Sequence, residues 1–397
     1  MKFVFFCHSL TSDWNHGNAH FLRGVTTELA ARGHGVKVYE PADGWSLRNL
    51  VRNEGVAVID GFRRHYPLLQ PRRYTMQTLD LDAALDGADV VIVHEWNPPE
   101  LFARIGMHRR LTRSRYRLLF HDTHHRTVSA PDELAALPLD DFDGALVFGE
   151  ALAAVYRQRG WGDRVWVWHE AADTRVFTPR DPDASPQDDL IWIGNWGDDE
   201  RTRELHEFLV EPALMAGVRG SVYGVRYPET ALAALARAGL NYRGWLPNYE
   251  VPRHFHRHRF TLHVPRRFYR ETLPGIPTIR VFEALACGIP LISAPWSDTE
   301  NLFRPGRDFL VVGDGREATR AMRDLQGDRA MADELAAAGR ETIERRHTCA
   351  HRVTELLDIC ASLDQPVVAL LTSAPRKQGD GALPLAHGAG SLASPAP

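Results

Sequence analysis

MKFVFFCHSLTSDWNHGNAHFLRGVTTELAARGHGVKVYEP, residues 1–41, places an apolar run, a polar loop, an amphipathic stretch and a second apolar run in succession. KFVFFCHS and GVKVYEP are rich in Val, Phe and Tyr without clean alternation, as expected of parallel strands covered on both faces. HFLRGVTTELAARG between them has helical periodicity. The unit is strand, helix, strand, and it continues through DVVIVHEW, YRLLFHD and GALVFGE to about Phe177.

A second cycle opens at DLIWIGNW and runs through RGSVYGV, NYRGWLP, FTLHVPR and GIPLISAP, separated by helical patterns such as ELHEFLVEPALMAG and TALAALARAGL. The fold class expected is α/β, with two doubly wound Rossmann-like domains facing a central cleft. The first domain is read as residues 1–173 on the acceptor side and the second as residues 190–347 on the donor side. Residues 174–189, proline-rich and acidic, are the linker. Residues 348–372 form a C-terminal helix that either closes the second domain or crosses back to the first. Residues 373–397, mostly Gly, Pro, Ala and Ser, are expected to stay unfolded.

The chain of 397 residues is long enough for two cores, and 44% apolar with 25% charged residues is a globular mixture. A formal charge of -4 gives no basic field to wrap a nucleic-acid backbone, so no nucleic-acid partner is expected. Cys7, Cys287, Cys349 and Cys360 are widely spaced, unlike a zinc site or disulfide framework, and fit a reducing cytoplasm. MKFVFFCHSL reads as a first strand rather than a signal peptide, and no run is apolar for long enough to cross a bilayer. Membrane contact, if made, would be peripheral, at the inner face. RHFHRHRF, residues 253–260, reads as a solvated basic helix face, with attraction to anionic lipid as its second reading.

Ligands in open parallel sheets bind where the carboxyl ends of strands meet helix N-termini. SLTSDWNHGNAH, EWNPPE, HDTHHR and GNWGDDER all follow strands. EALACGIPLIS, residues 283–293, preceded by LPGIPTIRVF, resembles the donor-site signature of GT-B glycosyltransferases of the group 1 (family 4-like) superfamily, in particular the branch related to spore-maturation proteins. AADTRVFTP, WIGNW, RGWLP and NLFRPGRDFLVV resemble further family phrases in the expected order. HGNAHFLRGVTTELAARGHGVKVYEP resembles the family's opening glycine loop and first helix.

The resemblance implies transfer of a sugar from a nucleoside-diphosphate sugar to a hydroxyl acceptor, which could be a glycan, a lipid-linked group or a small molecule. It implies Glu283 on the nucleotide ribose, where a carboxylate suits a vicinal diol, and Gly288 at the turn into the next strand. Gly194, Asn195, Tyr223, Gly244, Trp245 and Leu246 then belong to the donor site. Arg201, Arg203, Arg266, Arg267, Arg270 and Arg280 are candidate diphosphate partners, of which Arg203 and Arg280 are preferred. The chain departs from the pattern at Gly275, where many retaining members carry an acidic residue eight positions before the glutamate. Inversion and retention both remain open.

His16 is the leading candidate for a catalytic base, with Asp13 or Asp122 orienting it, and the alternative is a histidine that only caps a helix or touches the donor. His121 and Asp122 join it as catalytic candidates. Gly17, His20, Glu95, Trp96 and His124 are assigned to the sugar or acceptor cleft; Trp96 either stacks on a sugar or packs its loop. No metal or other cofactor is expected, since helix dipoles and cationic side chains stabilise a departing diphosphate in this family. The competing functions are a nucleotide-sugar epimerase of the same fold, a noncatalytic nucleotide- or sugar-binding scaffold, and a metal hydrolase built on HDTHH.

Overall fold

The computed structural model describes residues 1–179, 186–197 and 200–363. Seven strands form the first sheet: β1 (Lys2–Phe6), β2 (Gly35–Pro41), β3 (Arg72–Tyr74), β4 (Val90–His94), β5 (Arg117–Asp122), β6 (Gly144–Val147) and β7 (Val165–Val167). They are all parallel, in the order β3-β2-β1-β4-β5-β6-β7. Along β1, Phe3 and Phe5 enter one core while Val4 and Phe6 enter the other. Both faces of the strand are therefore apolar, which is why its sequence shows no alternation.

The second sheet has six parallel strands: β8 (Asp188–Ile193), β9 (Gly220–Tyr223), β10 (Leu240–Tyr242), β11 (His258–His263), β12 (Leu291–Ser293) and β13 (Leu310–Val311). Their order is β10-β9-β8-β11-β12-β13. Each sheet reverses its winding once, between β1 and β4 and between β8 and β11. At those switch points the loops after adjacent strands diverge and leave a crevice.

One apolar core runs through both domains. Phe21, Trp168 and Phe177 share it with Phe282 and Leu285 of helix Ile279–Cys287, and with Val353 and Leu356 of helix Cys349–Ser362. That last helix crosses back to the first domain. Its carbonyl at Arg352 accepts a 2.8 Å bond from Trp168 Nε1, and Arg32 at the end of helix Ala19–Ala31 donates to Ala350 O at 2.8 Å.

RHFHRHRF differs from the helical reading. Helix Val251–Phe255 takes only its first half, and β11 starts at His258, whose side chain is buried beside Phe260. Arg253, Arg257 and Arg259 still face solvent. Strand β8 begins inside the stretch read as linker, of which residues 180–185 lie outside the described residues. The tail, residues 373–397, lies outside them as well. Among the described residues no helix is long and apolar enough to cross a membrane.

Candidate active site

The loop after β1 is fixed before any ligand arrives. Glu40, at the end of β2 and fully buried, accepts from Leu10 N at 2.8 Å, Thr11 N at 3.0 Å, Thr11 Oγ1 at 2.6 Å and Ser9 Oγ at 3.1 Å. Arg23, reaching back from the first helix, donates to Leu10 O, Thr11 O and Asp13 Oδ2 at 2.8, 3.0 and 2.8 Å. A carboxylate and a guanidinium, each with most of its bonding capacity used, thus hold residues 9–13 in one conformation.

That loop presents His16 to the space between the domains. Its Nε2 lies 3.1 Å from Ser9 O, and a carbonyl can only accept, so Nε2 carries the proton and Nδ1 is the free basic atom. Burial, with His8 and Arg23 nearby, pushes its pKa well below the usual histidine value, so the ring is neutral at neutral pH. The orienting group is therefore the Ser9 carbonyl. Neither carboxylate expected for that task reaches the ring: Asp13 is bonded to Arg23, Trp245 Nε1 and Asn248 N, and Asp122 to Tyr156 OH and His124 N.

Two contiguous cavities occupy the cleft, about 240 Å³ mostly against the second domain and about 550 Å³ mostly against the first, called the donor and acceptor cavities after the sides expected of those domains. His16, Gly17, His124, Arg266, Thr278 and Ile279 line both. Gly17 eases this approach, because a Cβ there would stand 3.2 Å from Ile279 Cγ2 across the domain boundary and Ile279 would have to give way by a few tenths of an ångström. The donor cavity adds Gly194, Asn195, Arg201, Tyr223, Trp245, Leu246 and Arg280. Helix Ile279–Cys287 points its N-terminus at the shared wall, with no side-chain cap from Thr278, so its first amides and the positive end of its dipole are directed there.

Several expected residues stand elsewhere. Arg203 has a 79% exposed side chain paired with Glu204 at 3.6 Å and does not line the cleft. Arg201 takes its place, buried, donating to Val264 O at 2.9 Å. Gly288 is the left-handed C-cap of helix Ile279–Cys287 and packs toward Arg340. Gly244 supports the donor wall from behind, its carbonyl accepting from Gly224 N at 2.8 Å. Gly275 has φ 90°, and a Cβ would collide with Thr299, which leaves no room for an acidic side chain.

Glu283 lies one layer behind the cleft wall with no exposed surface. Its Oε1 accepts from Asn248 Nδ2 at 2.6 Å and sits 3.1 Å from His20 Nδ1, and Oε2 pairs with Arg280. Burial raises its pKa, but Arg280, His20 and Asn248 outweigh that and hold the carboxyl below its ordinary value. In this arrangement its oxygens are engaged by protein rather than open to a ribose. His20 is likewise enclosed: Asp173 N donates to its Nε2 at 2.8 Å, so Nδ1 bears the proton that faces Glu283 and Asn248.

His121 and Asp122 are fully buried and line neither cavity. Their burial follows from position, since both belong to β5, an interior strand paired on both sides. Burial pushes Asp122 up to about 6. Glu95 is also buried, raised by burial and by Asp122, and paired with Arg126 at 3.1 Å behind the wall. Trp96 does line the acceptor cavity, with Arg126 stacked 4.6 Å over its ring. Among the described residues no group of three or more His, Cys, Asp or Glu is arranged to hold a metal ion.

Sequence reasoning missed Glu40, Trp14, Trp45 and Glu170. Glu170, just after β7, lines the acceptor cavity, accepts from Asn18 Nδ2 at 3.1 Å, and is pushed up to about 7 by burial and by Glu283. Its position immediately before the linker was a usable signal, because that segment must pass the cleft.

Residues 201–358 match a family model described as glycosyl transferase-like. Over both domains the chain is similar to Anabaena HepE, solved with UDP and glucose, at TM-score 0.64 and 14% identity, covering 91% of this chain and 100% of that one. The fold is GT-B. Sucrose-phosphate synthase from Thermosynechococcus elongatus matches at TM-score 0.62 and 14% identity, over 91% of this chain and 99% of that one. An α-glucosyltransferase solved with UDP and a 13-mer DNA matches at TM-score 0.65 and 13% identity, over 91% and 99%. No curated relative matches the chain in sequence. The GT-B frame accounts for the placement of the two cavities, one against each Rossmann-like domain with the shared wall between them.

Proposed function

We propose that this chain is an inverting glycosyltransferase that moves a sugar from a nucleoside-diphosphate donor to a hydroxyl acceptor. The observation that carries the reading is the shared wall, where His16, Arg266 and the N-terminus of helix Ile279–Cys287 converge between two cavities. The donor would lie with its nucleoside against Trp245 and Leu246 and its diphosphate on the helix N-terminus, Arg266 and Arg280. The glycosyl transferase-like match over residues 201–358 supports this use of the second domain, and the relatives solved with UDP make UDP-sugars the first donors to test.

In the proposed step the acceptor oxygen attacks the anomeric carbon while its proton passes to His16 Nδ1. The bond from the anomeric carbon to the phosphate oxygen breaks, and the electron pair leaves with the nucleoside diphosphate. Arg266, Arg280 and the helix dipole stabilise that charge, so the step asks for no metal ion. A neutral, fixed imidazole is suited to a direct displacement. The absence of room for a carboxylate at Gly275 fits the same outcome. The buried thiols of Cys7, Cys287 and Cys349 fit a cytoplasmic enzyme.

Incubation with UDP-, GDP-, dTDP- and ADP-sugars, with and without an acceptor panel, tests the reading. Acceptor-dependent release of nucleoside diphosphate, insensitive to chelator and with inverted anomeric configuration by NMR, is expected. Donor isomerisation without acceptor, or tight nucleotide binding with no turnover across the panel, would replace it with an epimerase or a binding scaffold.

A further inference from the structure

The acceptor cavity is lined mainly by aromatic planes and neutral polar groups, with Glu170, Arg226 and Arg266 as its charged members. Trp45 and Trp96 are each partly exposed and line it, their rings 6.5 Å apart and inclined at 69°, so they form two sides of a corner. Trp14 meets Trp45 edge-on at 5.9 Å and extends the wall, and Tyr269 also lines the cavity. Around these planes stand Asn15, Asn18, Asn49 and Thr123, which offer amides and a hydroxyl.

Among the described residues, three lining side chains that are more than nine-tenths buried carry polar atoms with no partner: Asn18 Oδ1, Trp14 Nε1 and His125 Nε2. Leaving such a group unbonded costs about 1–3 kcal/mol; each of these atoms has under 1 Å² of accessible surface, so a ligand in the cavity would reach them only with a small shift of the surrounding side chains. The unused set is mixed. The amide oxygen can only accept, the indole can only donate, and the imidazole nitrogen can do either.

A hydroxyl-bearing ring matches that set, because each hydroxyl both donates and accepts while its C–H face lies on an aromatic plane. A phosphate matches it less well: Arg226 and Arg266 on the lining would attract it, but it cannot donate to Asn18 Oδ1 and it would face the Glu170 carboxyl that Asn18 holds at 3.1 Å. We infer that the larger cavity is an acceptor subsite for an uncharged pyranose ring, seated in the corner of Trp45 and Trp96 and bonded through its hydroxyls to the Asn18–Glu170 pair. The inference rests on the glycosyltransferase reading and narrows its acceptor to a carbohydrate. His16, on the wall shared with the donor cavity, then faces one of the ring's hydroxyls.

The test uses the full chain and two separate measurements. Calorimetry with UDP reports the donor site alone. Tryptophan fluorescence and saturation-transfer NMR, with and without UDP, report binding of methyl glycosides of neutral hexoses and N-acetylhexosamines, with farnesyl phosphate as the competing class. Expected results are fluorescence change with at least one neutral glycoside, at least a tenfold loss of its affinity in Trp96→Ala and in Asn18→Ala, and UDP affinity within twofold of wild type. UDP binding without binding of any glycoside in the panel, preferential binding of farnesyl phosphate, or glycoside affinity unchanged in both variants would overturn the inference while leaving the donor site standing. Failure to bind any nucleotide would instead count against the glycosyltransferase reading. The wild-type measurements decide the class even where a variant does not fold.

Discussion

His20 Nδ1, in the first domain, stands 3.1 Å from Glu283 Oε1, in the second, and neither side chain has more than 1% of its surface exposed. The backbone N–H of Asp173, the residue that leads into the linker, completes the arrangement by donating to His20 Nε2 at 2.8 Å. One imidazole therefore joins both domains and the segment between them.

Removing Glu283 leaves Arg280 without its carboxylate and the Asn248 amide and His20 N–H without an acceptor, and each unsatisfied buried group costs about 1–3 kcal/mol. Glu283→Ala is expected to lose about 3 kcal/mol of stability in urea unfolding and to weaken UDP binding at least tenfold, because Arg280 loses its fixed position beside the donor cavity. Glu283→Gln should lose less stability than Glu283→Ala, since its carbonyl can still accept from Asn248. Unchanged UDP affinity by calorimetry in Glu283→Ala would remove this residue from the donor site altogether.

The arginines separate two placements of the diphosphate. Arg266→Ala and Arg280→Ala should each weaken UDP binding by about tenfold or more, the equivalent of ~1.4 kcal/mol. Arg203→Ala should change it less than twofold, because that side chain faces solvent outside the cleft.

His16→Asn should reduce kcat by a factor of about 100 or more, within the range of general base catalysis, and leave UDP affinity within twofold. Ser9 contributes its carbonyl rather than its side chain to His16, so replacing its hydroxyl should disturb loop stability through Glu40 more than it disturbs the base.

Glu170 sets a pH dependence of stability. Its pKa in the folded protein is raised to about 7, above the ordinary carboxyl value, so between those limits the folded state binds more protons than the unfolded state. Stability from this group is full at low pH and is lost as pH rises through about 7. Glu170→Gln should therefore raise the melting temperature, relative to wild type, more at pH 8 than at pH 5. An equal shift at both pH values in scanning calorimetry would show that the carboxyl is not held in its protonated form.

The architecture was readable because buried parallel strands leave continuous apolar runs, as in KFVFF and VVIVH, and the helices between them keep their own period. β3, β7 and β13 were not readable: two or three residues such as Leu310–Val311 are too few to carry a pattern. The basic run at 253–260 misled because His258 and Phe260 are buried as strand residues while Arg257 and Arg259 point outward, a period of two inside an apparent charge cluster. At the site, position relative to a strand end identified His16, Gly17, Trp96 and His124. It could not separate a residue lining the cleft from one a layer deeper. His121 and Asp122 end β5 but face the core, and Glu283 is enclosed by groups brought together from residues 20, 248 and 280.

The return of helix Cys349–Ser362 to the first domain means the two halves are joined twice, once by the outgoing segment near Asp173 and once by the chain coming back through Thr348. Those two crossings touch, through paired backbone at Ala172 and Thr348. Two adjacent tethers let a pair of bodies fold toward each other but resist their sliding or twisting apart. Any opening of the cleft would then be a swing of one wall about a fixed axis, and closure would restore the same register between His16 and the helix Ile279–Cys287.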